Sequence, residues 1–186
     1  MRLSALFAAA CLAAPMAAHA QAVIPVDRFT AVELHGGGRI IVRPGPVQKV
    51  TLVRGDSRVA EFRVRGDTLI IGPCRGFCFG SHDLDVEIEA PALTGAAILG
   101  GGEIVAKGAF PAQGAVSARI KGGGDIDMRA VPAQRASARI VGGGKILVAA
   151  HDDLDASIFG GGLIRYAGRP RVDSAIHGGG AVSEIN

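Results

Sequence analysis

The sequence has no tryptophan, one tyrosine and seven phenylalanines among 186 residues. That scarcity removes the stacking aromatics on which single-stranded nucleic acids are held, and no basic cluster replaces them. Charge is nearly balanced, at 20 basic against 17 acidic residues, so electrostatics make no case for nucleic acid. Beyond residue 20 no apolar stretch is long enough to span a membrane. No run there carries helical periodicity. No Gly-x-Ser-x-Gly nucleophile motif occurs, and no GxGxxG or GxxxxGK[ST] phosphate loop.

Glycine, by contrast, is abundant, with 28 residues. Much of it lies in six Gly-Gly-Gly triplets beginning at Gly36, Gly100, Gly122, Gly142, Gly160 and Gly178. Two positions before them stand Leu34, Ile98, Ile120, Ile140, Ile158 and Ile176. Two positions after them stand Ile40, Ile104, Ile126, Ile146, Ile164 and Val182. The last five triplets recur every 18 to 22 residues, the period of a solenoid. Between them apolar and polar residues alternate. Val116, Ala118 and Ile120 lead through Gly122 and Gly124 to Ile126 and Met128, while Ser117, Arg119, Lys121, Asp125 and Asp127 take the other parity. Period-two alternation means strand with one face buried. Because the alternation passes through the glycines in register, the triplet is a tight bend at which side chains are excluded. The isoleucines are expected to stack as an interior ladder, rung on rung about 4.8 Å apart. A narrow interior filled by aliphatic side chains also accounts for the lack of aromatics.

The expected fold is all-β, a right-handed parallel β-helix or solenoid with an irregular N-terminal β cap. Residues 1–20 read as a signal peptide: Arg2, an apolar run from Leu3 to Ala18, and the small-x-small site Ala18-His19-Ala20, leaving a mature chain from Gln21. Its removal takes Arg2 and leaves 19 basic residues. Residues 21–92 hold the less regular strands of the cap, and 93–186 the regular rungs, as one continuous domain. Gly66-Asp67 marks a hairpin. Cys74 and Cys78 read as a disulfide in an exported protein, with free thiols, redox chemistry or a zinc site with His82 as alternatives. The compartment is periplasmic or extracellular.

The chain resembles a bacterial exported family, the putative auto-transporter adhesin head or GIN domain. The resemblance is carried by the repeated Gly-Gly-x-Ile corners, by Val64-Arg-Gly-Asp-Thr-Leu-Ile-Ile71 and by Gly160-Gly-Gly-Leu-Ile-Arg-Tyr-Ala-Gly-Arg-Pro170. It covers about residues 27–185. It implies a β-helix-like fold and supplies no catalytic residues. Family members often carry serine in the middle of the corner, where this chain has glycine throughout.

Candidate chemistry is sparse. A calcium ladder needs an aspartate recurring after the glycines. The residues there are Arg39, Glu103, Asp125, Lys145, Leu163 and Ala181. His35 and His177 share one repeat position but lie several rungs apart, so they cannot share a metal. Neither a metal nor a cofactor is expected. Carboxylates cluster at Asp83/Asp85, Asp125/Asp127 and Asp152-Asp153/Asp155. Asp127 and Arg165 are expected two rungs apart, about 10 Å, whereas a hydrolytic pair needs roughly 5–9 Å and one acid of raised pKa. The outward position before each triplet reads His35, Leu99, Lys121, Val141, Phe159, His177. With Leu147 and Leu163 nearby, Val141 and Phe159 form a candidate partner surface. The reading is a non-enzymatic structural or adhesive binding module of the cell envelope. Its partner is a protein or an envelope polymer, with a homo-oligomer through the C-terminal edge strand as a further expectation. A polysaccharide-processing β-helix enzyme, or a carbohydrate-binding module, is the alternative.

Overall fold

A computed structural model of the chain describes residues 21–72 and 84–185. The signal-peptide reading, the Cys74–Cys78 pair and His82 therefore lie outside the described residues. The strands are β1 (Ala22–Ile24), β2 (Ala31–Gly36), β3 (Arg39–Pro44), β4 (Lys49–Arg54), β5 (Glu61–Arg65), β6 (Thr68–Gly72), β7 (Asp85–Ala90) and β8 (Gly95–Gly100). They continue with β9 (Glu103–Ala106), β10 (Gln113–Gly122), β11 (Asp125–Gly142), β12 (Lys145–Gly160), β13 (Leu163–Ala167), β14 (Arg171–His177) and β15 (Ala181–Glu184). Among the described residues there is no helix.

The strands coil into a β-solenoid of stacked parallel rungs. On one side of the glycine corners β6, β2, β8, β10, the second half of β11, the second half of β12 and β14 pair in that order. On the other side the order is β7, β3, β9, the start of β11, the start of β12, β13 and β15. The register superimposes one corner on the next, with Gly122 opposite both Gly100 and Gly142, and Gly160 opposite Gly142. Two features depart from simple sequential winding. The rung of β6 and β7, late in the N-terminal region, packs outside the earlier rung of β2 and β3. The first triplet is thus a corner of the coil like the others. The irregular part is antiparallel: β4 runs against β7, β1 against β4, and β5 forms the hairpin with β6 expected at Gly66-Asp67.

The expected ladder fills the interior. Leu34, Ile98, Ile120, Ile140 and Ile158 align across the rungs, and Ile40, Ile104, Ile126, Ile146 and Ile164 form a second column. All of them are buried, and burial of each contributes roughly 1.5–3 kcal/mol. No polar or charged residue is buried among the described residues. Inward parity switches to odd numbers at Val131 and Ala133 and returns to even at Ala136. The register of β11 against β12 shifts at the same places. The first shift places three extra residues in β11 and the second one extra in β12, odd numbers that change the parity while keeping the apolar face inside.

Ile176 is the exception. Sequence parity puts it in the buried ladder, and it does pair with Ile158. It is nevertheless 40% exposed, as among the described residues β14 has a neighbour on one side only and no further rung lies over it.

The glycine corners have a steric cause. Gly122 and Gly124 adopt φ of 115° and 102°, where an L side chain is strained. A Cβ on Gly124 would also stand 2.5 Å from the carbonyl oxygen of Gly102 on the rung below. Backbone packs directly on backbone: the amide of Gly123 donates to the carbonyl of Gly100 at 2.7 Å, and that of Asp125 to Gly102 at 3.0 Å. The middle position differs. A Cβ on Gly123 or Gly143 meets nothing within 4 Å, and neither has positive φ.

Candidate functional site

In-register parallel pairing turns each outward position into a row running along the coil. The row before the corners is His35, Leu99, Lys121, Val141, Phe159, His177, each residue beside the next on the adjacent strand. Two residues earlier the row is Glu33, Ala97, Arg119, Arg139, Ser157, Ala175. Both lie on one face of the coil, because side chains two apart along a strand share a face.

This face is apolar and basic together. Leu99, Val141 and Phe159 are exposed by 38, 38 and 44%. The Phe159 ring stacks on His177 with centroids 4.7 Å apart and an angle of 23° between the planes. Arg139 also lies over that ring, its Cζ 5.7 Å from the centroid. The rung spacing, about 4.8 Å, matches the distance at which planar groups stack. Arg119, Lys121 and Arg139 are exposed, and none has a carboxylate partner among the described residues. Arg119 and Arg139 are direct neighbours across two strands, an arrangement that costs stability through like-charge repulsion. Glu33, the acid in that row, is engaged with His35 on its own strand.

The face beyond the corners is electrically different. A shallow depression of about 310 Å³ is lined there by residues including Arg39, Glu103, Asp125, Asp127, Arg129 and Lys145. All its charges but Lys107 pair off: Arg39 with Glu103 at 2.9 Å, Arg129 with Asp127 at 2.6 Å, and Lys145 with Asp125 at 3.5 Å. Partial burial alone would raise the Asp127 carboxyl. Hydrogen bonds from the side chain and backbone of Arg129, with the positive charges of Arg129 and Lys145, outweigh it and hold its pKa below the ordinary value. A glycosidase acid needs the opposite shift. Asp127 and Arg165 stand two rungs apart with Leu147 between them, as the repeat requires.

The four residues expected to form one partner surface are divided by the fold. Val141 and Phe159 lie before the corners. Leu147 and Leu163 lie after them, half-buried, Leu147 between Asp127 and Arg165 and Leu163 between Lys145 and Ala181. The triple-glycine bend turns the outward direction between the two pairs. His35 and His177 are separated by the strands β8, β10, β11 and β12. No group of three or more metal-ligating side chains occurs among the described residues. Sequence reasoning missed the Arg139–Phe159–His177 stack and the pairless cations beside it. Their signal was the 20- and 18-residue spacing, which aligns them only once the register is known.

In shape the coil is similar to the solved structure of a putative adhesin from Bacteroides fragilis, with a TM-score of 0.55 at 15% identity, covering 89% of this chain and 96% of that one. A putative adhesin from Parabacteroides merdae aligns with a TM-score of 0.47 at 17% identity, over 90% of this chain and 96% of that one. The first likeness shows the shared fold alone. No curated protein matches the sequence. The family model described as "Putative auto-transporter adhesin, head GIN domain" matches residues 28–116 and 112–170, spanning the glycine corners from Gly36 to Gly160, and the chain belongs to that family.

Proposed function

We propose that this protein is an exported, non-enzymatic binding module of the cell envelope, and that it engages its partner through the face before the glycine corners. The observation that carries this reading is the contrast between two faces of one coil. Beyond the corners every acid lining the depression is neutralised by a cation, with Lys107 alone of the lining charges left over. Before them, exposed Val141 and Phe159 lie among cations without acid partners. Exposed apolar groups concentrated on a rigid sheet mark a partner surface, and the adhesin description of the family agrees with a binding role. The carbohydrate-enzyme alternative is disfavoured by Asp127, whose pKa is lowered where an acid catalyst needs it raised. Binding of the mature chain to a bacterial envelope fraction, compared between wild type and Val141→Ser/Phe159→Ser, tests the assignment. Loss of binding with unchanged thermal unfolding supports it. Undiminished binding refutes it.

Two finer points complete the reading. Export proceeds by cleavage after Ala20 with a Cys74–Cys78 bridge, so intact mass should correspond to a chain from Gln21 less two hydrogens. The rung of β14 and β15 is a template for a second copy. Val172 and Ile176, exposed by 36 and 40%, lie symmetrically about Ser174. Antiparallel pairing about that residue would set each against the other and cover the open interior. A concentration-independent monomer in sedimentation equilibrium would remove this oligomer.

A further inference from the structure

We infer that the face before the corners binds an anionic lipid surface, an assignment that rests on the binding role proposed above and names its partner. Arg119 and Arg139 sit on adjacent strands about 4.8 Å apart, and Lys121 lies one outward position along, about 6.6 Å away by strand geometry. Three exposed cations thus crowd one part of the face with no carboxylate paired to them. The acids of the same face, Asp155 and Asp173, stand two residues along on β12 and β14, in the row of Ser137, and the cation cluster calls for an anionic partner. The apolar side chains decide which anion. Leu99 and Val141 flank Lys121 on the neighbouring strands, and Phe159 follows Val141 along the same row. A soluble polyanion gains nothing from those side chains. A sugar ring lying flat on Phe159 would have to compete with His177, which stacks on it, and with Arg139, which lies over it. A bilayer interface takes both components, with headgroup phosphates over the cations and apolar tips entering the acyl boundary. The sheet is suited to this because it is flat, regular and stiffened by the ladder beneath, so its side chains reach one plane together.

The test uses the mature chain and sedimentation with vesicles. Wild type should co-sediment with vesicles of equal parts phosphatidylglycerol and phosphatidylcholine, far less with phosphatidylcholine alone, and binding should fall at high salt. Arg119→Glu/Arg139→Glu should weaken binding by about 20-fold or more, at roughly a factor of five per cation. Phe159→Ser should weaken it several-fold. All these positions face outward, so thermal unfolding should be unchanged. No binding of wild type to anionic vesicles, or equal binding of the arginine variant, overturns the inference. So does wild-type-like binding of Phe159→Ser together with competition by dextran sulfate, which would assign the cations to a soluble polyanion. The envelope-fraction assay with the same variants separates the two ideas. Binding there without vesicle binding leaves the module role standing and removes only the lipid.

Discussion

Replacing the first glycine of a corner should harm the protein, whereas replacing the middle one should not. At Gly142 the backbone has φ of 120°, and a Cβ would collide with the carbonyl oxygen of Gly122 on the rung below. That carbonyl accepts the amide of Gly143 at 2.8 Å, so relieving the clash breaks the bond that stacks the corners. The positive φ costs an L residue about 1–3 kcal/mol. The strained or lost hydrogen bond adds roughly 0.5–1.5 kcal/mol. Gly142→Ala should therefore destabilise by about 2–4 kcal/mol. Gly143, one residue on, has no positive φ and open space around its Cβ position. Gly143→Ala should be neutral or stabilising by up to about 1 kcal/mol, because it reduces the freedom of the unfolded chain. Urea unfolding followed by far-ultraviolet circular dichroism, compared at the midpoint, reads both. Equal destabilisation by the two substitutions, or no effect of Gly142→Ala, would refute the account of the corners.

The interior ladder makes a second contrast. Ile140→Ala should cost about 2–5 kcal/mol, as a fully buried aliphatic does, while Ile176→Ala, at the uncovered rung, should cost under about 1 kcal/mol in the same assay. Ile140→Asp should abolish folding, since its charge has no partner inside the coil, and Arg139→Asp on the next position should leave unfolding unchanged. The Asp127–Arg129 pair gives a pH test. A carboxyl whose folded pKa is depressed contributes stability above its unfolded pKa, near 4, and loses it as pH falls toward the folded value. Asp127→Asn should accordingly be less stable than wild type at neutral pH, with the difference vanishing in strong acid. A gap that persists unchanged at low pH contradicts that assignment.

Most of the architecture was legible because one residue in two carries it. The alternation Val116, Ala118, Ile120 and its continuation beyond the glycines fixed both the strand state and the inward face. The recurring triplets then fixed which isoleucines align. What the sequence could not show is pairing between segments out of order. Nothing in Thr68–Gly72 or Asp85–Ala90 announces that these strands lie outside β2 and β3, since a parallel neighbour leaves no local mark on either strand. Ile176 failed for a related reason. Parity tells which way a side chain points, not whether another rung covers it. The candidate face was half legible. Val141 and Phe159 stood out as apolar residues at outward positions. Arg119 and Arg139 looked like ordinary surface charges until the register set them side by side and every acid lining the depression on the opposite face found a cation of its own. Leu147 and Leu163 were close in number to that stripe but lie across a bend that turns them away.

Because the chain contains no tryptophan, one introduced indole reports from one place. The most direct test of the binding face is a pair of single variants, Phe159→Trp before the corner and Leu147→Trp after it, mixed with phosphatidylglycerol vesicles carrying brominated acyl chains. The account predicts a blue shift and strong quenching of the indole at 159, with the indole at 147 unchanged. A response at 147 alone, or the same response at both positions, would contradict it.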